Sequence, residues 1–175
     1  FIGTDGKGKT YPGATVPYGM VQLSPDNGRT GWDWISGYFY PDRQIAGFSH
    51  LHLSGTGAGD LYDISFLPFS VEHFEPLPAA GGKPALVRTE RFSHDREQAS
   101  PGYYQVYLQN SQINVELTAG LRTGYQRYQY PATGPARLQL DLTYSRNWDQ
   151  TTATCLYQPD PYTLAGWRFS SGWAA

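Results

Sequence analysis

Alternation of apolar and polar residues with a period of two is the dominant pattern along this chain. In YYQVYLQ, Tyr104, Val106 and Leu108 fall on one side of an extended strand. Ile113, Val115 and Leu117 do the same in QINVELT, and Leu138, Leu140 and Leu142 in RLQLDLT. Polar residues take most of the positions between, so each segment predicts a strand with one face on a core and the other on solvent or a partner. Asn110 and Ser111 join the first two as a hairpin, and PATGP over 131–135 separates later strands. VQLS, GYFY, GFSHLHLS, DISFLPFSV, LVRTERFS and LAGWRFS read as further strands. No stretch longer than about eight residues keeps a helical period. The pattern predicts an all-β protein, an antiparallel β-sandwich of about ten short strands.

Composition narrows this picture. Aromatic residues reach 15%, with 14 Tyr and 5 Trp, while 20 Gly and 13 Pro punctuate the strands, as a sheet protein with many turns requires. A length of 175 residues is one domain, 1–175, able to bury a sizeable core. The chain begins at Phe1 and stops at Ala175 inside an aromatic pattern, and it reads as a fragment of a longer protein. A net charge of -2 leaves no electrostatic footprint for nucleic acid and no polybasic patch for a membrane surface. No apolar run approaches the length of a membrane span, and the place where a signal peptide would sit is outside the chain. Cys155, the single cysteine, excludes an internal disulfide framework and reads as a small buried hydrophobe. PLPAAGGKP over 76–84 reads as a loop between strands, since β patterning resumes beyond it.

Candidate chemistry is concentrated in the first seventy residues. Residues 3–10, GTDGKGKT, fit the phosphate-loop spacing G-x-x-x-x-G-K-[ST]. A genuine loop of that kind opens a helix, but Pro12, Gly13, Pro17 and Gly19 occupy the would-be helix interior, so a flexible glycine turn is expected. GTGAGD over 55–60 lacks the third glycine of a dinucleotide fingerprint and a following helix, and is expected to be a tight turn. On a strand, His50 and His52 point the same way, the geometry of a two-histidine metal clamp that Asp60 or Asp63 could complete. The other reading of that pair is hydrogen bonding to loops or to a polar ligand. Trp32 and Trp34 in GWDW, with Tyr38 and Tyr40, suit a sugar-stacking platform, the alternative for each being core burial.

At these residues a resemblance becomes specific. The succession PGATVPYGMVQLSPD, SGYFY, GFSHLHLSGTGAGDLYDISFLP, FSHDREQASPGYYQVYL, INVELTAGLRTGYQRYQYP and GWRFSSGW resembles the N-terminal domain of the glycoside hydrolase family 92 α-mannosidases, through nearly the whole chain. The resemblance implies a calcium-dependent, inverting, exo-acting enzyme that releases mannose from α-mannoside glycans and is periplasmic or extracellular. It also implies that a β-sandwich pairs with a C-terminal (α/α)₆ barrel of the same polypeptide, with the active site between them. The opening GTDGKGKTYPGATVPYG then resembles the family's first glycine-rich loop beside the sugar pocket. Asp5 and Lys7 depart from the family's usual loop by making it more charged.

The resemblance places the catalytic acid and base, and most of the calcium ligands, in the barrel. No catalytic residue is therefore assigned within this chain. Trp32, Trp34, Ser36, His50, His52, Ser54 and Asp60 are expected to line the interdomain wall of the pocket and to orient a sugar by stacking and hydrogen bonding. As wall residues, Trp34 and His52 are expected to be dispensable for folding, whereas Trp148 is expected to be structural. The alternative is a carbohydrate-binding β-sandwich module with no part in catalysis.

Overall fold

The computed structural model describes residues 1–55, 59–70, 88–145 and 149–172. Among these the strands are β1 (Ala14–Thr15), β2 (Gln22–Asp26), β3 (Gln44–Ile45), β4 (Gly47–Ser49), β5 (Ser65–Phe69), β6 (Glu90–Arg91) and β7 (Glu97–Ser100), followed by β8 (Tyr103–Leu108), β9 (Ile113–Ala119), β10 (Gly124–Gln129), β11 (Arg137–Asp141), β12 (Gln150–Asp160) and β13 (Thr163–Ser171). Helical structure among the described residues is confined to two short 3₁₀ turns, Trp32–Trp34 and His94–Arg96. Every strand pairing is antiparallel.

Two sheets form the sandwich, one ordered β1-β2-β4-β5-β11 and the other β10-β9-β8-β7. Alternation decides which side chains meet between them. From the second sheet Tyr104, Val106, Leu108, Ile113, Val115 and Leu117 are all buried, and they join Ala14, Leu23, Phe48 and Leu67 of the first sheet in one cluster. Each fully buried aliphatic or aromatic side chain here contributes roughly 1.5–3 kcal/mol, so this interface dominates stability. The β8–β9 hairpin closes at Leu108 and Ile113 through residues 109–112, with Gln112 in the left-handed region at φ 55°. Ser111 anchors that loop, donating from its backbone N and its Oγ to the buried Glu90 carboxylate at 3.0 and 2.5 Å.

Three predicted strands differ in the structure. GYFY is not a strand: Gly37 has φ +86°, and the Asn27 side chain supplies the acceptor for Phe39 N at 2.6 Å, replacing a ladder partner. Tyr38 instead crosses to the second sheet, where its hydroxyl and that of Tyr104 donate to the buried Glu97 carboxylate at 2.9 and 2.6 Å. GFSHLHLS is strand only to Ser49. In RLQLDLT, β11 forms at the sheet edge and leaves Leu138 half exposed. Among the described residues the β12–β13 hairpin pairs only with itself, and it displays Leu156, Tyr157, Tyr162, Leu164, Trp167 and Phe169 on its surface. The loop over 76–84 and Trp148 lie outside the described residues.

This architecture gathers three loops. β1 pairs antiparallel with the first two residues of β2, Ala14 opposite Leu23, so the chain before β1 runs towards the far end of β2, where Ser36 Oγ donates to Thr10 O at 3.2 Å. Just past β4 the chain stays beside β2, so that His52 reaches both Gln22 and Asp26.

Candidate functional site

The cluster is built around a buried polar group at the end of β2. The Asp26 carboxylate is fully buried; Oδ1 meets His52 Nε2 at 2.9 Å and Oδ2 accepts from Ser49 Oγ at 2.6 Å. His52 Nδ1 donates to Gln22 O at 2.7 Å, so both ring nitrogens are engaged. Gly37 is required against this group: a Cβ there would stand 2.3 Å from Asp26 Oδ1 and 3.0 Å from His52 Nε2. Tyr11 and Tyr62 flank the imidazole, with ring centroids at 5.3 and 5.6 Å. The Tyr62 hydroxyl donates to Ile35 O, tying residues 50–64 to residues 27–37. Burial raises the Tyr11 pKa, opposed by side-chain hydrogen bonds to Thr15 and Ser54.

Above this layer the first glycine-rich loop is stitched to the other two. Gly55 N donates to Lys9 O at 2.6 Å and Ser36 Oγ to Thr10 O at 3.2 Å. Lys9 sits in the left-handed region at φ 53°, and its buried ammonium binds Asp33 Oδ1 at 2.7 Å, with the Trp32 and Phe39 rings 6.0 and 5.9 Å away. No helix follows Thr10. The lysine of the phosphate-loop spacing is thus turned inward onto a carboxylate instead of outward to a phosphate. Titration with ATP is expected to show no saturable binding at micromolar concentration, and Lys9→Ala is expected to lower the melting midpoint by a few degrees, because Asp33 loses its buried partner. Saturable ATP binding that Lys9→Ala abolishes would overturn both statements.

The two tryptophans of GWDW part company within one 3₁₀ turn. Trp34 is pinned: its Nε1 donates to Asp42 Oδ2 at 2.5 Å, Phe39 packs edge-on at 5.4 Å, and the Arg29 guanidinium lies 5.8 Å from the ring. Burial pushes the Asp42 pKa up, and the Trp34 hydrogen bond and the Arg29 and Arg43 charges pull it back. Trp32 stays 55% exposed, an indole face presented at the surface with the Lys9 ammonium 6.0 Å from its ring.

Trp32, Trp34, Ser36, His52 and Ser54 therefore share one cluster of loops. His50 and Asp60 do not join them. The strand ends at Ser49, so His50 and His52 lose the strand's shared face and take different partners. His50 donates through Nδ1 to Ile64 O at 3.0 Å, packs on Phe66 at 5.6 Å and abuts Gly124, where a Cβ would stand 2.9 Å from the ring. Burial lowers its pKa. Asp60 is buried and accepts from Leu61 N at 3.0 Å; it packs against Gly172 after β13, where Arg168 pairs with Asp63 and Asp149. Among the described residues no group of three or more His, Cys, Asp or Glu side chains is arranged to hold a metal ion. The loop cluster presents aromatic faces, hydroxyls and backbone groups. Asp26, Asp42 and Tyr62 were not legible as site residues, and Lys9 and Tyr11 only as members of the first glycine-rich loop. The nearest signal was polarity at a strand end, as in the SPDN run after Leu23.

Lys9, Leu61, Tyr62 and Ile64 all have positive φ, from 53 to 80°, which places most of the left-handed non-glycine residues of the described chain in these loops. Backbone of this kind costs about 1–3 kcal/mol per residue and persists where surrounding packing dictates it.

The model of the glycosyl hydrolase family 92 N-terminal domain matches residues 1–175. The chain belongs to that family. A family GH92 α-mannosidase of Bacteroides thetaiotaomicron is 38% identical, with a TM-score of 0.88 over 98% of this chain and 23% of the other. A family GH92 inverting mannosidase from the same organism is 25% identical, with a TM-score of 0.67 over 95% of this chain and 20% of the other. A protein of Arthroderma benhamiae named as an uncharacterized secreted glycosidase is 28% identical over 138 residues, 74% of this chain and 16% of its own length. The chain thus spans less than a quarter of the length of these relatives. Within the GH92 N-terminal domain, the all-β antiparallel sandwich predicted from alternation is the fold observed.

Proposed function

We propose that this chain supplies one wall of the mannoside pocket in an inverting, exo-acting α-mannosidase, with acid and base provided by a further domain of the same polypeptide. The observation that carries this reading is the family match over 1–175 together with 38% identity to an α-mannosidase. Site chemistry supports the division of labour. Inversion needs a carboxylic acid and a carboxylate roughly 6.5–9.5 Å apart with water between. Three carboxylates of the loop cluster are committed to neighbours: Asp26 to His52 and Ser49, Asp33 to Lys9, and Asp42 to Trp34 and Arg29.

In this reading Trp32 and Trp34 stack on the sugar ring, Ser36, His52 and Ser54 position the loops that frame it, and His50 and Asp60 support the loop from behind. Calcium, as the cofactor of the complete enzyme, is held mainly outside this chain. The exposed apolar side of the β12–β13 hairpin supports a second domain of the polypeptide covering it, since patches of this kind on a monomer mark contact surfaces. An exported location, periplasmic or extracellular, is supported by the relative named as secreted, and no helix among the described residues is long and apolar enough to cross a membrane.

The test compares the complete polypeptide with residues 1–175 on an aryl α-mannoside and on α-mannobiose. Hydrolysis is expected from the complete protein and none from the shorter chain, with or without calcium. Turnover by residues 1–175 that survives repurification would refute the division of labour, and failure of the complete protein on every α-mannoside would refute the activity.

A further inference from the structure

The face of the β7–β10 sheet turned away from the core presents three rows of side chains that the pocket does not use. Register aligns Ser100, Tyr103, Thr118 and Tyr125 in one row, and Gln98, Gln105, Glu116 and Arg127 in the next. Tyr107, Asn114 and Gln129 make the third. Two adjoining grooves run over this face. One, of about 370 Å³, is lined by Arg96, Gln98, Gln105, Tyr107 and Asn114. The other, of about 260 Å³, is lined by Tyr103, Glu116, Thr118, Tyr125 and Arg127.

The polar groups are fixed in place before any ligand arrives. The Tyr103 hydroxyl lies 2.9 Å from Gln105 Oε1 and 2.7 Å from Glu116 Oε1, and Gln105 Nε2 donates to Asn114 Oδ1 at 3.1 Å. Arg127 Nε donates to Glu116 Oε2 at 2.5 Å, while the Arg96 guanidinium stacks 3.2 Å above the centre of the Tyr107 ring. These links hold amides, a hydroxyl and ion-paired groups in a ladder on rigid strands, so binding would cost little ordering entropy. Tyr125 adds a phenol ring that is 59% exposed.

We infer that this outer face is a second glycan-binding surface, one that holds an extended neutral polysaccharide away from the pocket wall. Neutral sugars need planar hydrogen-bonding groups for their hydroxyls and an aromatic face for their C–H faces, and both are present. Charge argues against a phosphorylated or sulfated polymer: Arg127 is paired with Glu116, and Arg96 sits beside Asp95. The Tyr103 and Arg127 hydrogen bonds hold the Glu116 carboxyl below its usual range, so that balance persists into mildly acidic solution. A protein partner would need a desolvated apolar centre, and the grooves lack large aliphatic side chains apart from Leu117, which is buried. Four strands about 4.8 Å apart give a platform wide enough for several linked rings, and both grooves are open, which suits a polymer better than a single sugar. That the polymer is α-mannan rests on the proposed function.

Affinity electrophoresis of the complete polypeptide in gels containing α-mannan or heparin tests this. Mannan is expected to retard the wild type, while Tyr125→Ala and the double change Gln105→Ala with Asn114→Ala are expected to weaken retardation about tenfold. The kcat/KM for a small aryl mannoside should stay unchanged, and Tyr125→Phe should keep the wild-type retardation. Unchanged retardation in the variants, or retardation by heparin alone, would overturn the inference. A complete protein that hydrolyses no α-mannoside but is retarded by mannan through these residues would refute the proposed function and leave this surface standing.

Discussion

Replacing Asp26 with alanine is expected to lower the melting midpoint by about 6–12 °C, the largest stability loss from any polar substitution in the loop cluster. The side chain is fully buried and accepts from two groups, His52 Nε2 and Ser49 Oγ, both buried. Truncation leaves those two partners without an acceptor, and each buried orphan costs about 1–3 kcal/mol. A total on the order of 3 kcal/mol follows for a domain of this size. Asp26→Asn is the control, because its amide can still accept from His52 through Oδ1 and donate to Ser49 through Nδ2. It is expected to lose less than half as much. Equal losses in thermal melts of the two variants would show that the carboxylate charge matters rather than the acceptor geometry. Melting at the wild-type temperature for Asp26→Ala would show that the network does not hold the loops.

The same network explains which parts of the molecule alternation could reveal. In β8 and β9 every second residue is buried, from Tyr104 to Leu108 and from Ile113 to Leu117, because sheet geometry alone sets which side faces the core. GFSHLHLS alternates equally well, yet pairing ends at Ser49. There the chain follows side-chain bonds: His52 turns to Gln22 and Asp26, far away in sequence, and the backbone then runs through left-handed residues at Leu61, Tyr62 and Ile64. GYFY fails as a strand for a related reason, since Asn27 satisfies Phe39 N in place of a neighbouring strand. β12 carries no buried residue and, among the described residues, pairs only with β13, so its TTATCLYQPD left no alternation to read. Local periodicity thus reports the sandwich. The buried bonds at the centre of the loop cluster join residues twenty or more positions apart, Asp26 to Ser49 and His52, Gln22 to His52 and Lys9 to Asp33, and no local window contains them.

Among the wall residues, Trp32 gives the sharpest functional expectation. Trp32→Ala in the complete polypeptide is expected to weaken kcat/KM for an α-mannobioside roughly ten- to a thousandfold, the range for losing about 1.4–4 kcal/mol of stacking in a water-poor site. Its melting midpoint should stay within a degree or two of wild type, because the indole is 55% exposed and contributes little burial. Trp34 is the internal contrast. Its ring packs on Phe39 and its Nε1 holds Asp42, so Trp34→Ala is expected to lose activity and stability together. Trp34→Phe should restore most of the packing but not the bond to Asp42, whose burial already disfavours its charge. Kinetics and thermal melts on the three variants separate the roles. If Trp32→Ala melts like wild type and also keeps its kcat/KM, the exposed indole does not touch the sugar, and the pocket wall must be sought on another face of these loops.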